Sequence, residues 1–426
     1  MREGAAGVAL AVALACAVTA RAQTIDAEHL TNDPGATLLL PYFEAQVPKK
    51  IGGKAPGIDT LFSINNASAT AILAHVTIWT DLAVPVTNFN IYLTGYDVQQ
   101  ISMVDILNGK LPITASAGQD PDDTISNKGT ASQDINFATC NGQLPYPPVL
   151  PDDSINHIRA ALTGKPSALF SGQCAGFDYA EKKPVARGFI TVDTVNNCTT
   201  RMPNALEYFQ NDITYQNVLW GDSFILNKSK KVARGDALVA LRASPTDPQT
   251  SAIFQYSFYD TVNGSLVPVD GRQPLGTVFA GRFINVPKHP QFPTGTSAVA
   301  WRDPKVKQDP FTCGTTPTWF PLSQKQLVVF DEQENPESSI AAPFPRATQL
   351  VKVGGPSFPI TPTAGWLYMD LNAPAPSASG SPIENPSAEQ GFVSMVLDSK
   401  GKYSVGLRAI VLDDGATVDH LNLPLP

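Results

Sequence analysis

The chain has 426 residues, a formal charge of −8 and 43% hydrophobic residues, a composition too apolar for intrinsic disorder. Charged residues make up only 16%, against about 25% in an average globular protein, and 37 prolines are far above the usual share. The acidic balance carries no basic stripe, which excludes nucleic acid as a partner; scarce Lys and Glu with abundant Thr, Val, Gly and Pro predict short strands and many turns.

Arg2 precedes an apolar run from Ala5 to Ala20, and Ala20-Arg21-Ala22 closes it. A charged tip, a short apolar stretch and a small-x-small triplet predict a secretory signal cut after Ala22, alanine-rich in the bacterial manner. Cutting there removes Arg2, Glu3 and Arg21 and leaves the remainder one unit more acidic. Two alternatives stay open: an uncut anchor, and a lipidation site at Ala13-Leu14-Ala15-Cys16. No later run approaches the roughly 20 apolar residues of a spanning helix, so the expectation is an exported chain without a transmembrane segment once processed, periplasmic, at the outer surface or extracellular.

The strands begin at Thr37-Leu38-Leu39-Leu40, where Pro41 predicts an edge strand interrupted by its proline. Thr60–Ile64 leads into the turn-prone Asn65-Asn66. The clearest alternation follows, with Ile72, Ala74, Val76 and Ile78 on one face and Leu73, His75, Thr77 and Trp79 on the other. Asn88–Leu93 and Val98–Met103 are further strands, and Val104–Leu107 is a helical turn stopped by Asn108-Gly109. The stretch Phe62-Ser63-Ile64-Asn65-Asn66-Ala67-Ser68 through Trp79-Thr80-Asp81 resembles the opening of immunoglobulin-like sandwiches in exported bacterial proteins. The whole chain is similar to an uncharacterised family of that kind, most closely over about the first hundred residues. Such a resemblance implies fold class and no activity.

Residues 116–184 change character and read as a loop-rich insertion. Gly118–Gln133 is polar and Leu144–Pro151 carries four prolines. Asp152-Asp153-Ser154 supplies an N-cap for a helix whose face is Ile155, Ile158 and Leu162, with Gly164 and Pro166 as its stop. Strands resume at Val185 and recur at Ala237–Arg242, Ala252–Tyr259, Thr277–Ile284, Ser297–Trp301, Gln326–Phe330 and Tyr403–Leu412; Pro374–Pro386 is a Pro/Ser/Ala loop. A weak internal echo links Gly188–Asp193, Gly365–Asp370 and Gly391–Met395 as equivalent strands or as chance. The expected fold is therefore mainly β: antiparallel β-sandwich modules at 23–115 and 185–426, with the partly helical insertion between them.

Removal of Cys16 with the leader leaves Cys140, Cys174, Cys198 and Cys313, which predict two disulfides in an oxidising compartment. Of three possible connectivities, Cys140 with Cys174 is favoured because the segment between them looks self-contained; Cys198 would then pair with Cys313. No CxxC pair suggests zinc.

The chain lacks GxSxG, HExxH, GxGxxG and a phosphate-cradling loop. His29, His75, His157, His289 and His420 are far apart; His75, in the strongest strand, is either a general base facing a cleft or a hydrogen-bonded interior histidine. Asp120, Asp122 and Asp123 with Asn127, or Asp413-Asp414, offer oxygen ligands for a structural calcium without DxDxDG spacing, and the alternative is a solvated loop. Asp331-Glu332-Gln333-Glu334 offers paired carboxylates of the kind glycoside hydrolysis needs. Trp319, in a proline-rich loop after Cys313, is the candidate ligand-binding aromatic, with Trp301 and Trp366 as companions; the alternative has it plugging the end of a sandwich. Asn66, Asn197, Asn227 and Asn263 head Asn-x-Ser/Thr sequons. Three functions remain: a non-enzymatic surface, adhesion or envelope-structural protein meeting protein or polysaccharide at the cell surface, a carbohydrate-binding module using surface aromatics, and a secreted hydrolase with a site assembled from distant residues.

Overall fold

The computed structural model describes residues 33–54, 57–229, 231–245, 258–259, 270–286, 295–304, 309–339, 341–371, 390–399 and 403–412. The expected leader, the 374–386 loop, His29, His289, His420, Asn263, Asp413-Asp414 and most of the expected strand at 252–259 lie outside the described residues.

In chain order the elements are β1 Thr37–Gln46, β2 Ile58–Asn66, β3 Ile72–Thr80, β4 Pro85–Leu93, β5 Val98–Ser102, α1 Met103–Leu107, α2 Asp152–Ala161, β6 Val185–Val195, β7 Leu219–Trp220, β8 Asp222–Asn227, β9 Val232–Ala237 and β10 Val239–Leu241. Then come β11 Val278–Ile284, β12 Thr296–Arg302, β13 Gln326–Asp331, β14 Pro336–Ser338, β15 Thr348–Lys352, β16 Ala364–Asp370, β17 Gly391–Ser399, β18 Tyr403–Arg408 and β19 Ile410–Val411. The chain is mainly β, and its paired strands run antiparallel.

Among the described residues, four sheets make two sandwiches. A central sheet, ordered β10-β1-β6-β3-β4, packs against an outer sheet, β5-β2-β8-β9, with β7 alongside the end of β2. Their shared core includes Leu38, Phe43, Phe62, Ile64, Val76, Ile78, Ile190 and Val192, with α1 and α2 closing one side through Ile106 and Ile158. The second sandwich pairs β14-β13-β16-β11-β19 with β15-β12-β17-β18 around Phe279, Phe283, Leu367, Met369, Val393 and Met395. Each such side chain contributes about 1.5–3 kcal/mol when taken out of water. The division therefore differs from the expected one at residue 184. Strands β6–β10 complete the first sandwich, because β6 supplies the strand between β1 and β3 and the chain crosses sheets at Leu238, from β9 to β10. The three glycine-led segments of the internal echo all fall in interior strands, β6, β16 and β17.

Pro41 does not mark a simple edge strand. β1 runs unbroken, pairing with β6 over its length and with β10 only at Thr37–Leu39. The proline falls just beyond the last β10 pair, inside a bulge between Leu40 and Phe43, where a missing N–H costs no ladder bond.

β3 is buried at every position, so its alternation separates two interiors instead of core from solvent. The second interior lies over the other face of the central sheet, where the insertion, residues 198–213 and the start of the second sandwich contribute Leu144, Tyr208, Trp301 and Trp319. The insertion and the segment leading into it also cover the free edge of β4. Tyr146 Oη accepts from Asn90 N at 2.7 Å, and Thr114 Oγ1 accepts from Tyr92 N at 2.9 Å while donating to Tyr92 O at 2.6 Å. An edge so capped is closed to strand addition.

The sandwiches interlock through reciprocal ion pairs, Arg234 on β9 with Asp398 on β17 and Arg408 on β18 with Asp236 on β9. Thr348 N also donates to Asp81 O at 3.3 Å across the joint.

Candidate functional site

The disulfides connect differently from the favoured pairing: Cys140 bonds Cys198, and Cys174 bonds Cys313. Cys140 ends a short turn that docks beside the exit of β6, where Thr139 Oγ1 accepts from Cys198 N at 3.0 Å. The helix then carries Cys174 to the second sandwich, and its main chain exchanges two 2.9 Å hydrogen bonds with Phe311. Both bridges lead out of the insertion, and neither closes it on itself.

Trp319 is 1% exposed and belongs to the second interior, edge-on to Phe320. The tight loop packs the indole inward, so it presents no face for stacking on a ligand, and Trp319 is a plug. Trp301 is equally enclosed between Phe189 and Phe258; Trp366 is half-buried and stacked on Phe330 at 4.4 Å. A cavity of about 20 Å³ among Trp79, Phe189, Phe258, Tyr259 and Trp301 has room for roughly one water.

Asp120 is occupied by its own loop, accepting from Thr124 N, Thr124 Oγ1, Ile125 N and Ser126 N at 2.8–3.0 Å. Burial would push its carboxyl up, and together those donors outweigh it and hold it below the ordinary value. Asp122 is exposed, Asp123 accepts from Lys128 N, and among the described residues no three acidic, His or Cys side chains converge as metal ligands. Asp331 caps the β13–β14 turn by accepting from Gln333 N and Asn335 N, each at 2.8 Å. Asn66 and Asn227 are buried, and Asn197 is half-buried.

His75 faces the second interior and no cleft. Asn90 Nδ2 donates to Thr199 O, so its Oδ1 is the acceptor for His75 at 2.9 Å; that assigns the ring proton to Nδ1. Nε2 is buried without a hydrogen-bond partner, as is Thr77 Oγ1 two residues along. Burial pushes the imidazole below its ordinary value, against the opposing pull of Asn90 and Asp193. Opposite His75 on β6 sits Asp193, wholly buried. Tyr208 and Tyr259 both donate to its Oδ2 at 2.8 Å, Thr37 donates to Oδ1, and Arg272 Nε lies 3.6 Å from Oδ1. Burial raises both tyrosines well above their ordinary value, so they stay protonated donors. Sequence pattern pointed to His75 alone; the remaining partners come from segments as far off as Arg272. With every member enclosed, this network binds the second interior to the central sheet.

The outer face of the outer sheet is the opposite case. Along β7 and β8 the side chains alternate, with Trp220, Asp222 and Phe224 outward and Leu219 and Ser223 inward. Trp220 is 49% exposed and Phe224 46%. Register aligns Val98, Asn65 and Trp220 in one row across β5, β2 and β7, and Ser102, Leu61, Phe224 and Gly235 in another. Between the rows Ser63 Oγ donates to Asp222 Oδ1 at 2.9 Å and accepts from Asn65 Nδ2 at 3.2 Å. Asn65 Oδ1 is left without a partner. Phe224 leans across Gly235, where a Cβ would come within 2.8 Å of its ring. Glycine there provides a berth for an aromatic ring that is held and still half exposed.

Fold and face define a class: a disulfide-stapled protein of two interlocked antiparallel β-sandwiches, with a solvent-facing aromatic surface on the outer sheet. No protein-family model matches the chain, and no curated protein matches its sequence.

Proposed function

We propose that this chain is an exported β-sandwich protein that acts by adhesion at an envelope or extracellular surface, as a binding scaffold and not as a catalyst. The observation that carries the reading is the outer-sheet face, where Trp220 and Phe224 stand half exposed on strands paired to β2. Aromatic rings fixed on a strand lose little entropy on binding, which suits them to contact with a partner. Two disulfides and the reciprocal Arg–Asp pairs keep that face in place and suit an oxidising compartment. The leader and the likeness of Phe62–Asp81 to exported immunoglobulin-like sandwiches agree with it. No described helix is long and apolar enough to cross a membrane. The test is a pull-down of the purified, processed protein on envelope fractions and whole cells of its source. Retention that Trp220→Ala and Phe224→Ala abolish supports adhesion. Equal retention of wild type and both variants, or turnover of a hydrolase substrate by the wild type, overturns it.

A further inference from the structure

We propose that the outer-sheet face is a saccharide-binding platform, with Trp220 and Phe224 as stacking rings and Asp222, held by Ser63, as the hydrogen-bonding group between them; this rests on the adhesion reading and names its ligand. A sugar ring has an apolar C–H face and a rim of hydroxyls, and it is held by an aromatic surface beside polar groups. The face alternates in that way: Trp220, then the Ser63–Asp222 pair, then Phe224. Four residues of extended chain separate the two aromatics by about 13 Å, a span that fits a chain of several sugars and exceeds a single ring. A protein partner is better served by a continuous apolar patch than by rings divided by a polar strip.

Charge narrows the ligand. The outward positions of β2, β5, β8 and β9 hold Asp59 and Asp222 and no lysine or arginine. Acidic polysaccharides, nucleic acid and anionic lipid are repelled by such a face, leaving an uncharged glycan. The strip presents an acceptor, as a ligand of hydroxyl donors requires: the Asp222 carboxylate, half-buried between the rings, with Ser63 and Asn65 buried beneath it. Phe224, already held across Gly235, needs little reordering to receive a ring.

Affinity electrophoresis in hydroxyethylcellulose and in galactomannan, two soluble neutral polysaccharides, reads this directly. The wild type is expected to be retarded by at least one, equally at low and high salt. Trp220→Ala and Phe224→Ala are expected to weaken retardation tenfold or more, with unchanged circular dichroism because both rings are exposed. Gly235→Val, which drives a side chain into the Phe224 ring, is expected to weaken it while leaving Trp220 intact. Trp366→Ala on the other sandwich is expected to bind as the wild type does. Absence of retardation in both polysaccharides, or retardation that both ring variants preserve, overturns the platform. Periodate treatment of envelope fractions separates the two proposals: Trp220-dependent retention that survives periodate sinks the saccharide and keeps adhesion, whereas no retention at all sinks both.

Discussion

Asp193 and Tyr208, fifteen residues apart in the chain, meet through a 2.8 Å hydrogen bond where neither side chain touches solvent. The bond pins the 208–212 turn to β6, and the same carboxylate oxygen receives Tyr259. Removing the carboxylate leaves Arg272 buried without its countercharge, so Asp193→Ala is expected to cost about 3–5 kcal/mol. Tyr208→Phe removes one donor to a charged acceptor and is expected to cost about 1.5–3 kcal/mol. Urea unfolding of the two variants checks both; an Asp193→Ala protein within 1 kcal/mol of wild type would show that the network contributes little, by the ~1 kcal/mol scale of ordinary substitutions.

Acid is expected to destabilise the first sandwich through His75. Its folded pKa is depressed by burial, so the unfolded chain takes up a proton near the ordinary value of about 6.5 while the folded chain does not. The stabilisation is complete above that value and is lost as pH falls towards the depressed one. His157, buried against Ser167 and the Val86 carbonyl, is shifted the same way and adds to the slope. Asp81, Asp59 and Asp134 are raised by burial and act in the opposite sense, so variants are needed to isolate the histidine. Between about pH 7.5 and about pH 5.5 the loss in His75→Gln is expected to be smaller than in wild type, and an unchanged slope would refute the assignment.

The two disulfides are expected to reduce in order. Cys140 and Cys198 are 0% and 6% exposed, whereas Cys313 sits half-buried in an otherwise exposed loop. A thiol reductant needs access to sulfur, so Cys174–Cys313 opens first. Stepwise reduction with differential alkylation and mass spectrometry measures the order; alkylated Cys140 appearing first contradicts it.

Quenching of indole fluorescence separates the tryptophans. Trp79, Trp301 and Trp319 are 2%, 4% and 1% exposed, and Trp220 is 49%. Trp220→Phe is therefore expected to remove most of the acrylamide-accessible emission, Trp366 supplying the remainder. Trp319→Ala leaves a large void and is expected to cost about 3–5 kcal/mol, visible in urea midpoints, with any polysaccharide binding retained.

Much of the first sandwich was legible because its signals are local. Period-two alternation at Ile72–Trp79 places a strand whatever surrounds it, and α1 and α2 form where Ser102 caps one helix and Ile155, Ile158 and Leu162 line the other. The aromatic face was not legible. Trp220 and Phe224 alternate outward over too few residues to stand out, and a tryptophan carries no mark of its exposure. Trp319 drew attention through its prolines, which pack it inward as readily as they hold it out.

Composition, alternation and an even cysteine count determined by themselves that the chain is β-rich and doubly bridged, since these depend on each residue's own chemistry and its nearest neighbours. Tertiary structure alone decided that Cys140 meets Cys198, that both faces of β3 are interior, that β6–β10 complete the first sandwich and that Asp193 gathers Thr37, Tyr208, Tyr259 and Arg272. Each of those is a contact across tens to hundreds of residues, and which distant segments meet depends on how whole sheets stack, a property no single stretch of sequence contains.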